Sequence, residues 1–366
     1  MERWREGLYL VKDEENVKKI LVILTGGTIG SKISTNDIDV DSKAAYSLLE
    51  LYKETYEKET EFEVLSPYQV LSENMDLNYW MKLYETLDGI SCEDYEGVII
   101  THGSDTLAYT SNFIGYLFAE TSIPFLLIAS NYALTDVRSN GLLNFKTSVD
   151  FIKEKKGTGV FTIFSNDKGE VPVYHARNIK EADPYLDQFS PFDGTYYDVK
   201  RGDVWLSEGV EDRERIEKGS KKQEEGQALI NKNEKGNSLF GGDLKLEKRV
   251  LGIRIYPGLD FEVYDLSKVN AVLCYLYHSA TGSVEGSNTN MIRWIQKCKE
   301  KGIPIFVASF KSGEKGGYVT KNEILKAGAV PLYDLSYESA YMKLLIGINQ
   351  SQIDLEQWMT EKWRKI

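Results

Sequence analysis

Residues 97–110, GVIITHGSDTLAYT, run from a short apolar stretch straight into Thr101, His102, Gly103, Ser104, Asp105 and Thr106. A strand that is apolar on both faces and ends on hydroxyls and a carboxylate suits a parallel sheet. There the strand body is covered by helices, and its carboxyl end is where ligands collect. The flanking sequence repeats the arrangement. KKILVILT, EGVIIT, IPFLLIAS and GTGVFTIFS read as strands, while SKAAYSLLELYKETYEKE, NYWMKLYETLDGI, DTLAYTSNFIGYLFAE and SNGLLNFKTSVDFIKEKK carry apolar residues at helical spacing. Alternating strands and amphipathic helices predict a doubly wound, mostly parallel α/β sheet.

The rhythm resumes after Val250 with VLGIRIYPG, NAVLCYLYHSATGS, NTNMIRWIQKCKEKG and IPIFVASF, and closes on YESAYMKLLIGI and QIDLEQWMTEKWRKI. The fold class expected is therefore α/β, with a larger N-terminal doubly wound domain over 18–190 and a smaller C-terminal α/β domain over 250–366. At 366 residues, two domains also accord with the usual ~100–200 residues per domain. Between them, 191–249 is rich in Glu, Lys and Gly and poor in aliphatic residues, which predicts a charged linker or surface excursion.

Composition narrows the function. No apolar run approaches the ~20 residues of a membrane-spanning helix. The first residues, MERWREGLYLVKDEENVKK, mix both charge signs without an apolar core or cleavage site, so a cytoplasmic protein is expected. A net charge of −12 repels phosphate backbones and anionic lipid, which argues against nucleic-acid and membrane partners. Cys92, Cys274 and Cys298 are too few and too scattered for a disulfide framework or a zinc site, and read as free thiols. With His102, His175 and His278 the only histidines, no histidine-based metal site is expected.

The chemistry gathers at two strand ends. Thr25-Gly26-Gly27-Thr28-Ile29-Gly30 follows the first strand, and its glycines allow a tight turn that presents amides to a ligand. The spacing fits neither the dinucleotide-binding nor the P-loop fingerprint. A hydroxyl beside exposed amides suits a nucleophile with an adjoining oxyanion site. At the second end, His102 and Ser104 lie two apart on an extended segment, which does not hold an imidazole against a hydroxyl, so His102 reads as a hydrogen-bonding structural residue. A desolvated lysine can serve as base in its place.

TGGTIG at 25–30 and THGSDT at 101–106, in that order and each at a strand end, resemble the two signature motifs of the bacterial L-asparaginases, which convert asparagine to aspartate and ammonia. LSENMDLNYW, ASNYALTDVRSNGLLN, ARNIKEADPYLDQFSP, GIRIYPG and SGEKGGYVTKNEILKAG extend the likeness over about residues 18–348, and RSNGLLN and ARNIK lean toward the cytoplasmic type. The resemblance implies Thr25 as nucleophile, with Ser104, Asp105 and Lys180 as the second hydroxyl, the carboxylate and the lysine. Position 104 is serine where the family usually has threonine. Ser72 and Glu73 resemble the pair that holds the substrate's α-carboxylate and α-ammonium groups, although Ser72 also reads as the cap of the helix that follows. Gly27, Thr28 and Gly103 complete the expected binding set. The resemblance further implies an amino-acid amide as substrate, no cofactor, and a homodimer or homotetramer in which a neighbour's smaller domain completes the site; Ser279, Thr281 and Glu285 are the residues expected to reach across.

Two other functions fit the same scaffold. One is the asparaginase-like subunit of the archaeal tRNA-dependent amidotransferase, which SENM also resembles. That subunit carries a sizeable extra N-terminal domain, and here residues 1–17 precede the first strand, which sets the expectation of a free-standing enzyme. The other is a catalytically silent amino-acid-binding protein.

Overall fold

The computed structural model describes residues 18–361 apart from 28, 30, 34–37, 41, 167–170, 199–202, 207–236, 242–243 and 314–315. The larger unit contains β1 (Lys19–Leu24), a two-stranded ribbon of β2 (Ser31–Ile33) and β3 (Ile38–Val40), α1 (Ser42–Thr55), β4 (Phe62–Leu65), α2 (Leu77–Asp88), β5 (Tyr95–Thr101) and α3 (Leu107–Leu117). It continues through β6 (Pro124–Ile128), α4 (Gly141–Lys153), β7 (Gly159–Ile163), β8 (Pro172–His175), β9 (Thr195–Asp198) and β10 (Asp203–Leu206). Its sheet runs β10-β9-β8-β7-β6-β5-β1-β4. The strands from β4 to β7 pair in parallel, and β8, β9 and β10 are added antiparallel at one edge.

Alternation along the strands sets the layers. In β5, Val98 and Ile100 join one core and Ile99 the other; in β1, Leu21 and Ile23 face the first and Ile20, Val22 and Leu24 the second. Successive side chains of a strand point to opposite faces, so both faces need cover. Leu48 and Tyr52 of α1 and Phe145, Val149 and Ile152 of α4 cover one face, while Trp80, Leu83 and Leu87 of α2 and Phe113, Ile114 and Leu117 of α3 cover the other. This is the doubly wound arrangement that the sequence predicts.

The smaller unit consists of β11 (Val250–Arg254), β12 (Ala271–Tyr275), α5 (Met291–Glu300), β13 (Ile305–Phe310), α6 (Val319–Lys326), β14 (Val330–Tyr333), α7 (Tyr337–Ile348) and α8 (Leu355–Thr360). Its sheet is parallel in the order β11-β12-β13-β14. One face packs on α5 and α6 through Trp294, Ile295, Cys298 and Ile324. The other, through Leu273, Phe306 and the apolar side of α7, shares a single core with α2 and α3. Tyr116 Oη lies 2.7 Å from Ser339 Oγ across that boundary.

Two features differ from the sequence reading. β4 has no counterpart in it: this is a half-buried edge strand of four residues whose alternation is diluted by Glu63. The described parts of 191–249 are also built into the fold, unlike a linker. β9 and β10 extend the large sheet, and Leu239, Phe240, Leu244 and Leu246 are buried in the shared core. Ser238 fixes this return, with its N–H donating to Asp88 Oδ1 at 2.8 Å and its hydroxyl 2.9 Å from Tyr84 Oη. Among the described residues the three cysteines are free, and no helix is long and apolar enough to cross a membrane.

Candidate active site

Thr25 leaves the carboxyl end of β1 and is 2% exposed; its hydroxyl donates to the Thr101 carbonyl, at the end of neighbouring β5, at 2.6 Å. The turn behind it requires glycine. Gly26 and Gly27 have φ of 114° and 80°, and a Cβ at Gly27 would collide with the backbone of His102 and Gly103. Gly103 is equally constrained, since a Cβ there would strike Ser72 and come within 3.3 Å of Gly27 Cα. The two motifs are thus packed backbone to backbone, with Ser72 beside them. Thr28 lies outside the described residues.

Ser72 opens a 3₁₀ turn at Ser72–Asn74 and is buried, and its carbonyl accepts a 3.0 Å hydrogen bond from Thr106 Oγ1. It does not cap α2. Asp76 does, accepting from the N–H groups of Asn78 and Tyr79 at 2.8 and 3.1 Å. The Ser72 hydroxyl is therefore left at the motif junction. Glu73, next along the turn, is exposed and lies close enough to Asp105 to act on its charge.

His102 is buried, and its surroundings fix its protonation. Nδ1 lies 2.8 Å from the Gly103 carbonyl, which can only accept, so Nδ1 carries the proton. Nε2, 3.0 Å from Thr110 Oγ1, accepts from that hydroxyl, which in turn accepts from the Trp80 indole N–H at 2.9 Å. Burial lowers the His102 pKa from 6.5 to about 4, which keeps the ring neutral. It is a brace for Gly103, as the sequence reading of a structural histidine expects.

Ser104, Asp105 and Lys180 line one cavity of about 810 Å³ between the two units. Lys180 arrives from the segment after β8, its N–H bonded to the Ser190 carbonyl at 3.1 Å. Among the described residues its ammonium group forms no ion pair. The pKa of Asp105 is raised, first by partial burial and then by the like charges of Glu73 and Asp187. A carboxylate held among other carboxylates favours a cationic ligand. Thr25, Gly27, Gly103 and Ser72 do not line this cavity; Thr25 and Ser72 are buried, and the link to it is the chain itself, where Gly103 is followed by Ser104.

The far wall comes from the same chain, a contribution absent from the sequence reading. Arg254, Tyr275 and Glu338 line it. Arg254 Nη2 bonds Glu338 Oε1 at 2.8 Å and Glu181 Oε2 at 3.3 Å, and its guanidinium lies 4.4 Å from the Tyr337 ring centroid. Glu181 follows Lys180, so this cluster ties the lysine-bearing segment to the smaller unit. Ser279, Thr281 and Glu285 lie on the loop after β12 and are not among the residues lining the cavity. Tyr68, also absent from the sequence reading, sits beside Thr25, whose hydroxyl acts on its ionisation. Among the described residues, no group of three or more His, Cys, Asp or Glu side chains could hold a metal ion.

The profile of the asparaginase N-terminal domain matches residues 19–208, more than half of the chain. The chain belongs to the asparaginase family. Similar proteins of known role include a subunit of the glutamyl-tRNA(Gln) amidotransferase of Pyrococcus abyssi, 24% identical over 355 residues that cover 94% of this chain and 75% of that one. Its counterpart in Pyrococcus horikoshii is 24% identical over 359 residues, with 95% and 75% covered. Among solved structures, the thermostable L-asparaginase of Thermococcus kodakarensis superposes with a TM-score of 0.67 at 22% identity, covering 93% of this chain and 95% of that one. L-asparaginase I of Vibrio cholerae gives 0.68 at 21% identity, covering 95% and 98%. At these identities the structures establish the shared two-unit fold.

Proposed function

We propose that the protein hydrolyses the side-chain amide of L-asparagine to aspartate and ammonia, with glutamine as a minor substrate, in the cytoplasm and as a homodimer or homotetramer. Thr25 Oγ1 attacks the amide carbonyl and gives up its proton to the Ser104–Lys180 pair, the developing oxyanion is met by donors of the two glycine turns, and the carbon–nitrogen bond breaks as the pair returns that proton to the leaving nitrogen, which departs as ammonia. Water then hydrolyses the threonine ester. Lys180 and Ser104 carry the proton traffic, Asp105 with Glu73 receives the substrate ammonium, and Ser72 receives its carboxylate. The supporting observation is the packing of the two motif turns against each other beside a cavity that holds a hydroxyl, a carboxylate and an ammonium group together.

The test is ammonia release from asparagine, glutamine and D-asparagine. Thr25→Val and Lys180→Met should each abolish release with the fold intact, and undiminished activity in either variant refutes the assignment. Saturable asparagine binding without ammonia over hours would identify a silent binding protein instead.

A second reading is favoured by the curated relatives, which are amidotransferase subunits. On it, the same chemistry supplies ammonia to a tRNA-binding partner. Co-purification of such a partner, with ammonia release that rises severalfold in its presence, would select this reading.

A further inference from the structure

Tyr68 presents an unexplained polar group. It is 8% exposed, and its hydroxyl has no hydrogen-bond partner among the described residues. Leaving a buried hydroxyl unpaired is costly, so such a group calls for a reason. The segment around it is tied on both sides to the end of β1 and the turn that follows. Ser66 Oγ donates to the Leu24 carbonyl at 3.3 Å, Val70 N–H donates to the Thr25 carbonyl at 3.1 Å, and Val70 forms a parallel bridge with Gly26. A five-residue segment is thus pinned at both ends beside Thr25, and the phenol it carries lies close enough for the Thr25 hydroxyl to act on its ionisation. The ring is seated on Tyr79, with centroids 5.1 Å apart.

Thr25 has a use for a second partner. Its one hydroxyl proton is committed to the Thr101 carbonyl, which leaves the Oγ1 lone pairs to be oriented. We propose that Tyr68 is a positioning residue for the nucleophile, its phenolic O–H donating to Thr25 Oγ1 so that one lone pair is fixed and the other is directed at the substrate. The assignment rests on the hydrolytic reading above. It differs from a general-base role. Burial raises the phenol's pKa well above its ordinary value, and among the described residues the groups that act on it are the Thr25 hydroxyl and Tyr79, another phenol, neither of them a carboxylate to draw the proton away.

Two measurements test this. Tyr68→Phe removes one oxygen that makes no other hydrogen bond among the described residues, and should lower kcat about 3- to 10-fold, the worth of one neutral hydrogen bond. KM, the pH limits of the rate profile and the urea midpoint should stay in place. An unchanged kcat overturns the proposal, as does a fall in kcat matched by a fall in the midpoint. The second readout needs no turnover. With tyrosine labelled at Cζ, Thr25→Val should shift the Tyr68 resonance, because the hydroxyl loses its acceptor. An unmoved resonance overturns the proposal even if the wild type releases ammonia, and a shifted one sustains the contact even if ammonia release fails.

Discussion

Replacing His102 by Gln tests the brace behind Gly103, and its effect depends on pH in a calculable way. The buried ring has a pKa of about 4 against 6.5 when unperturbed, with burial as the main cause. Above pH 6.5 the ring is neutral in the folded and unfolded chain alike. As pH falls from 6.5 to 4 the unfolded chain takes up a proton that the folded chain refuses, so folding stability falls across that window. Below pH 4 both states carry the proton and this loss is complete. The displacement corresponds to about 3 kcal/mol, at roughly 1.4 kcal/mol per pH unit. Gln does not titrate, so the variant lacks this loss while all carboxylates behave alike in both proteins. At pH 7 the wild type should be the more stable, by about 1–3 kcal/mol for the hydrogen bonds to Gly103 and Thr110. That advantage should shrink by about 3 kcal/mol at pH 4. Urea unfolding followed by tryptophan fluorescence measures the gap. A gap that stays constant with pH, or an imidazole resonance of His102 titrating near 6.5, would refute the reasoning.

Gly27→Ala forces a side chain at φ 80° into the backbone of His102 and Gly103, and should cost about 3 kcal/mol or more and abolish ammonia release; a folded, active variant would show that the motif turns are not in contact. Asp76→Ala removes the cap of α2 and should lower stability by about 1 kcal/mol with kinetics intact. Ser72→Ala should do the reverse, raising KM for asparagine severalfold with the urea midpoint in place, and a loss of stability without a change in KM would return Ser72 to a structural role. Because the pKa of Asp105 is raised by burial, Glu73 and Asp187, the acid limb of kcat/KM should lie above the ordinary aspartate value, and Glu73→Gln should move it downward. A limb that ignores that substitution would place the substrate ammonium elsewhere.

The sequence shows most clearly what local physics alone decides. Val98, Ile99 and Ile100 are apolar on both faces, so β5 had to lie inside a parallel sheet, and the glycines at 26, 27 and 103 announce backbone that approaches other backbone. Both signals survive without knowledge of the neighbours. β4, β9 and β10 lack that advantage. They are only four residues each, and they sit at or toward the edges of the sheet, so their pattern depends on what covers them. The choice of cap for α2 is ambiguous for the same reason: Ser72 and Asp76 are both good caps, and only the 3₁₀ turn between them hands the task to Asp76.

The parts of the site hidden from sequence are those made by long-range contact. Nothing in LSPYQV distinguishes Tyr68 from 22 other tyrosines, because its burial beside Thr25 arises from ties between a loop and a strand more than 40 positions earlier. Arg254 is equally silent in GIRIYPG. Its place in the cavity wall follows from the register of β11 with β12, which sets Arg254 next to Tyr275, and from α7, which brings Glu338 and Tyr337 to it. On the proposed reading the motif residues supply the reactive groups, and their alignment depends on residues chosen by packing. Should Thr25 prove to be the nucleophile, its reactivity will be governed by Thr101, Tyr68 and the His102 brace as much as by the motifs that identify it.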